Sequence, residues 1–261
     1  MNIDRHSLED AVAKVPAVTL GFWLIKIAAT TLGETGGDWV TMSLNLGYLI
    51  GTGIFAALFV VLVYAQVKSA RFHAFVYWAT IVATTTLGTT MADFFDRSIG
   101  VGYPGGTSII ALLLVASLVV WHRVEGTVSI ASVNTPRAEW FYWCTILFSQ
   151  TLGTALGDWT AGDDRGGLGV GYENAALIFG GALVVVAAFY FLTRLSRTLL
   201  FWMAFVLTRP LGATVGDFLD KPHSAGGLEL SRLYASLALL AVMAACVLLL
   251  PQRPARVGEG A

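Results

Sequence analysis

The sequence is short of charge. Only 13% of its 261 residues are Asp, Glu, Lys or Arg, about half the share of an ordinary soluble domain. Neither sign dominates, because 16 Lys and Arg stand against 17 Asp and Glu. A protein without a basic footprint is a poor partner for nucleic acid. Cysteine and histidine are also scarce, at two and four residues. Cys144 and Cys246 fall in apolar runs and read as buried small hydrophobes. His6, His73, His122 and His223 are scattered over predicted helix ends and loops, so there is no cluster for zinc or copper. Ser-His and Cys-His arrangements for nucleophilic catalysis are missing too, and the chain is not expected to be an enzyme.

What is abundant is apolar surface. The hydrophobic set makes up 56% of the chain, and the mean hydropathy is +0.71. Disordered chains are poor in such residues. The composition predicts a polytopic membrane protein with the lipid bilayer as its main partner. The apolar segment after residue 14 is too long for the core of a cleavable signal, so insertion is expected to be permanent.

The chain is internally repetitive. Four segments share a Trp, a Gly ten residues later, an Asp five beyond that, and then Trp or Phe. They are Trp23–Gly33–Asp38–Trp39, Trp78–Gly88–Asp93–Phe94, Trp143–Gly153–Asp158–Trp159 and Trp202–Gly212–Asp217–Phe218. A Leu precedes each Gly, and a small residue precedes each Asp. Each motif is followed by a polar, Gly-rich stretch and a second apolar run. Every run is near the ~20 residues that span a bilayer as a helix. The expectation is an all-α fold of eight transmembrane helices, forming four parallel two-helix repeats at about 15–68, 71–123, 137–194 and 198–251.

Ten Lys and Arg lie in the termini and between units: Arg5, Lys14, Lys68, Arg71, Arg123, Arg137, Arg194, Arg197, Arg253 and Arg256. Four lie within units: Arg97, Arg165, Lys221 and Arg232. Positive charge collects on the cytoplasmic side. This predicts an inner-membrane, multi-pass protein with both termini in the cytoplasm. The oligomeric state stays open.

Within each motif, Gly33 and Gly37, Gly88 and Ala92, Gly153 and Gly157, and Gly212 and Gly216 share a helix face. Small residues at this spacing let helix backbones approach closely in lipid. Trp23 and Trp39 are about 24 Å apart along a helix, which suggests aromatic belts at two interfaces.

The repeated aspartates carry the chemical argument. Asp38, Asp93, Asp158 and Asp217 end their helices, where the macrodipole disfavours negative charge, and a charge near the bilayer suggests a function. The residue four before each is Glu34, Thr89, Thr154 or Ala213. Oxygen ligands suit hard cations, Na⁺ or protons, and Glu34 with Asp38 forms the best candidate metal pair. No resident cofactor is implied. Lys26 and Arg209, both inside motif helices, are candidate counter-ions, Arg209 for an aspartate and Lys26 for Glu34. Asp96, outside the repeat position, is expected to matter little.

The segments Thr30 to Asp38, Gln150 to Trp159 and Arg209 to Asp220 resemble the signatures of a family of bacterial membrane-anchored proteins built from this fourfold repeat. The resemblance covers essentially the whole chain, implies eight helices and supplies no activity. A weaker echo is the Glu-x-Gly-Asp motif of a cation/proton exchanger family handling Ca²⁺ and Mn²⁺. Glu34 and Asp38 carry one extra residue between them, and Trp39 replaces that motif's Lys. The favoured reading is a cation transporter or channel. The alternative is a non-transporting membrane scaffold or accessory protein, its aspartates paired with loop arginines.

Overall fold

The computed structural model describes residues 12–256, so Arg5, His6 and the acidic residues Asp4, Glu9 and Asp10 lie outside the described residues. Eight long helices account for most of the rest. They are α1 (Leu20–Asp38), α2 (Gly47–Lys68), α3 (Ala74–Asp93), α4 (Tyr103–Glu125), α5 (Pro136–Ala161), α6 (Tyr172–Leu192), α7 (Arg197–Asp220) and α8 (Arg232–Leu249). Three of the motif helices begin with a hydroxyl cap: Thr19, Thr135 and Ser196 each accept a backbone N–H three residues on. Such caps satisfy donors that the first turn leaves open.

The motif helices α1, α3, α5 and α7 form a closed inner ring, each packed on the next and α7 on α1. Their glycines set the spacing. A Cβ added to Gly33, Gly88, Gly153 or Gly212 would come within 2.9–3.1 Å of a backbone carbon or nitrogen of Thr85, Gln150 or Thr151, Arg209 and Thr30 respectively. Each neighbour lies two or three residues before the next motif's glycine, so one contact recurs around the ring. Gly37 likewise meets Thr89, Gly157 meets Ala213 and Gly216 meets Glu34. Ridges of the other helix fill the space that a side chain would need.

The second helices form an outer layer with an offset that the repeat pattern does not reveal. Each packs mainly on the motif helix of the following unit: α2 on α3, α4 on α5, α6 on α7, and α8 back on α1. The repeat in sequence is therefore not a packed hairpin in space. The units interlock, and the last closes on the first. The outer helices carry long exposed apolar faces, including Leu49, Val61, Leu112, Val184, Phe191 and Leu248. Among the described residues five helices, α2, α4, α6, α7 and α8, are long and apolar enough to cross a membrane. The motif helices α1, α3 and α5 hold the threonine runs and face the ring.

A feature outside the all-α expectation closes the chain. Strands β1 (Val12–Pro16) and β2 (Pro254–Arg256) pair antiparallel at one end of the bundle. Lys14 pins this ribbon through a 2.7 Å ion pair with buried Glu139 and a 3.0 Å bond to the Val67 carbonyl.

The first tryptophan of each motif is a core residue more than a belt residue. Trp78, Trp143 and Trp202 are at most 5% exposed and belong to one aromatic cluster with Phe22, Tyr77 and Phe205. Trp23 is partly buried against it. The Trp202 indole N–H reaches the Val128 carbonyl at 3.0 Å, and that of Trp78 reaches Gln252 at 3.0 Å. The rings are buried because the ring of motif helices turns their faces inward, where edge-to-face packing adds to area burial.

Candidate functional site

Beyond the aromatic end, the inner ring is lined by polar groups in successive layers. The first contains Lys26, fully buried, with its ammonium 3.4 Å from the Gln150 side-chain oxygen and 4.1 Å from the centre of the Phe205 ring. A cation over an aromatic face is stabilised by the ring quadrupole. Lys26 thus rests on Gln150 and Phe205, in place of the expected pairing with Glu34.

One layer further, Arg209 reaches across the ring. Its guanidinium donates to Glu34 Oε2 at 2.9 Å, to Thr154 Oγ1 at 2.6 Å and to Thr89 Oγ1. It also approaches the backbone carbonyls of Thr85 at 3.4 Å and Thr30 at 3.5 Å. These partners come from α1, α3 and α5, so one side chain ties the ring together. Glu34, Thr89 and Thr154 occupy one repeat position and converge on Arg209, while Ala213 in the fourth copy packs closely on Gly157. The partner of Arg209 is thus Glu34 of another unit, and the aspartates are neutralised by other residues.

The four aspartates come next, all buried. In units 2 and 4 a basic residue follows one turn later. Arg97 lies 2.7 Å from Asp93 and 3.4 Å from Asp158. Lys221 lies 2.6 Å from Asp38 and 2.9 Å from Asp217. Each cation thus binds its own unit's carboxylate at i+4 and that of the next unit. Asp220, with Arg232 at 3.0 Å, extends the second pair. Carboxylate oxygens of Asp38, Asp217 and Asp220 all lie within 4.8 Å of one another. This acidic cluster could coordinate a cation, with a charge-rich oxygen set of the kind hard ions prefer. Glu34 is held one layer below by Arg209, so the metal pair read from the sequence is divided between two layers.

Two charged residues here lie beyond the helices. Arg97 is held well above its ordinary value by Asp93, despite burial, with Asp158 adding to the effect. Burial alone would lower Lys221, but Asp217, Asp38 and Asp220 together raise it well above its usual range. Both therefore carry full positive charge. The backbone loosens beside two of the aspartates: wide π-type turns follow Asp38 (Trp39–Ser43) and Asp93 (Phe94–Ile99), and the second contains Arg97. Such turns gather at functional positions more often than in ordinary helix.

Above the aspartates is a cavity of about 300 Å³, lined by Arg97, Tyr103, Asp158, Tyr172, Lys221 and Arg232 among others. It reaches the acidic layer from the loop side.

Residues 21–72, 76–127, 141–196 and 200–251 each match a family described as Repeat of Unknown Function (DUF347). The chain belongs to this family. Each matched span holds one motif helix and the outer helix that follows it. Neither the curated proteins nor the solved structures contain a match.

Several residues at the site were not singled out as ligands or partners in the sequence: Asp220, Arg97, Lys221 and Arg232. For Arg97 and Lys221 a signal exists, since both follow an Asp by four residues, the spacing of an ion pair on one helix face. Asp96 requires a correction. It is fully buried against Gly106, and among the described residues neither of its oxygens has a hydrogen-bond partner. Burial, with Asp158 nearby, pushes it up to about 7 against the pull of Arg97 and Arg165. Asp96 is therefore unsuitable as a neutral control.

Proposed function

We propose that this chain is a multi-pass inner-membrane carrier for a hard cation, with eight spanning helices in four parallel repeats and both termini in the cytoplasm. The single observation that carries the reading is the convergence of equivalent buried aspartates on one end of the helix ring, beneath an open polar cavity. The recurring glycine contacts, which advance in step along neighbouring helices, support the parallel arrangement. The exposed apolar faces of the outer helices support immersion in lipid, since patches of this extent mark a membrane or partner surface. The excess of Lys and Arg at the aromatic end supports the orientation.

A carrier fits better than an open channel. Arg209 crosses the ring beneath the aspartates and is held from three other helices, so an ion must wait for those contacts to rearrange. An entering ion would have to displace the Lys221 ammonium from Asp38 and Asp217. This role is one of transport and not of catalysis.

A second reading rests on the same pairing. If Arg97 and Lys221 only neutralise the aspartates, the ring is a membrane scaffold. Flux of Mn²⁺, Mg²⁺, Ca²⁺ and Na⁺ into proteoliposomes decides between them. Wild type should move at least one ion, and Asp38→Asn should abolish that flux, because a divalent ion needs the charge. Glu125→Gln, at the opposite end of the bundle, should leave it unchanged. Failure to move any of the four, across a range of pH and ion gradients, leaves the scaffold.

A further inference from the structure

A second cavity lies far from the aspartates, at the aromatic end. It is a groove of about 700 Å³ between α1, α6 and α7, walled by Trp23, Ile27, Val186 and Ala204, with Arg197 and Arg253 at its rim. It arises because α6 packs on α7 and α8 packs on α1, leaving a seam where α7 meets α1. The lining follows α7 from Arg197 to Thr208. Eleven residues of helix rise about 16 Å, close to half of the ~30 Å hydrocarbon thickness. The groove is therefore one leaflet deep.

Its two ends differ in chemistry. The deep part is aliphatic and aromatic, suited to an acyl chain. At the mouth, the Arg197 guanidinium lies 4.2 Å from the centre of the Tyr190 ring and donates to the Tyr190 carbonyl. That contact directs a side chain with five donors toward the groove edge. Arg253, from the segment before β2, is exposed at the same rim. Guanidinium groups recognise phosphate through paired, charge-assisted bonds.

We infer that this groove is a binding site for an anionic glycerophospholipid of the cytoplasmic leaflet, its acyl chain along Ala204 and Ile27 and its phosphate at Arg197 and Arg253. The inference rests on the membrane reading above but is independent of any ion transport. A zwitterionic lipid fills the apolar part equally well but lacks the net negative charge that each rim arginine attracts. Such attraction is worth about fivefold in affinity per arginine.

The test uses the full chain in an uncharged detergent, with lipid retention measured by native mass spectrometry. Phosphatidylglycerol should bind at least about tenfold more tightly than phosphatidylcholine. Arg197→Gln and Arg253→Gln should each weaken phosphatidylglycerol about fivefold and weaken phosphatidylcholine, whose phosphate charge is offset by its own ammonium, by less. Ala204→Trp should reduce both lipids by filling the groove, and glycerol phosphate alone should not compete. Equal binding of the two lipids overturns the proposal, as does unchanged phosphatidylglycerol binding by Ala204→Trp. The rim variants keep the test decisive should Ala204→Trp fail to fold. Release of the chain from membranes by alkaline carbonate would instead overturn the membrane reading itself.

Discussion

Neutralising Glu34 should cost this protein more stability than any other single change in the ring. Arg209 has no exposed surface, and among the described residues its only carboxylate partner is Glu34, at 2.9 Å. Glu34→Gln keeps the shape but leaves a guanidinium surrounded by the Thr89 and Thr154 hydroxyls and two carbonyls. Those dipoles satisfy hydrogen bonds without balancing the charge. Removing one partner of a buried ion pair costs ~3–5 kcal/mol. A guanidinium cannot escape by losing its proton, whereas a carboxyl left alone can gain one. Arg209→Met should therefore be milder, at about 2–3 kcal/mol. The double variant removes both charges, so its cost should fall short of the summed single costs by about 2–3 kcal/mol. Denaturant unfolding in micelles, followed by fluorescence of the buried Trp78, Trp143 and Trp202, gives all three values. Additivity within about 0.5 kcal/mol would mean that the two residues do not interact, and the central tie described here would be wrong.

Gly153→Leu should destabilise the ring by ~1–3 kcal/mol or more, because even a Cβ meets the Arg209 stem and overpacking forces a backbone shift; an unchanged melting profile would refute close packing there. Asp96 titrates near 7 when folded, against an ordinary value of 3.8. The neutral form is thus favoured by folding: its contribution is full below about pH 4 and is lost as pH rises through 7. Wild-type melting temperature should fall from pH 5 to pH 8, and Asp96→Asn should flatten that slope; an identical slope in both would remove Asp96 as its source. Reporter fusions in the loops at Asp163 and Arg71 should report opposite sides of the membrane, and matching sides would overturn the proposed topology.

The fourfold motif, its helices and the glycine face were legible in the sequence, because helix periodicity and small-residue spacing are local properties. The pairs Asp93 with Arg97 and Asp217 with Lys221 carry a local signal too, four residues apart on one face, although the sequence reading did not single them out. What joins the copies was not legible. The Arg209 contact with Glu34 spans 175 residues, and which carboxylate it meets depends on which helix lies beside α7. Closure of the ring brings α1 there. The same closure sends Arg97 to Asp158 and Lys221 to Asp38, turning four like aspartates into two ion-paired sets. It also buries Trp78, Trp143 and Trp202 in one aromatic cluster and packs against it Trp23, which spacing alone had placed at an interface. The outer helices escape sequence reasoning for a related reason: their almost unbroken apolar runs fit any groove in lipid. The offset by one unit is decided by how the connections direct each helix onto its neighbour. Sequence thus determined the parts and their repetition, while tertiary closure determined which charges meet, because electrostatic pairing depends on distance in space and not on position in the chain.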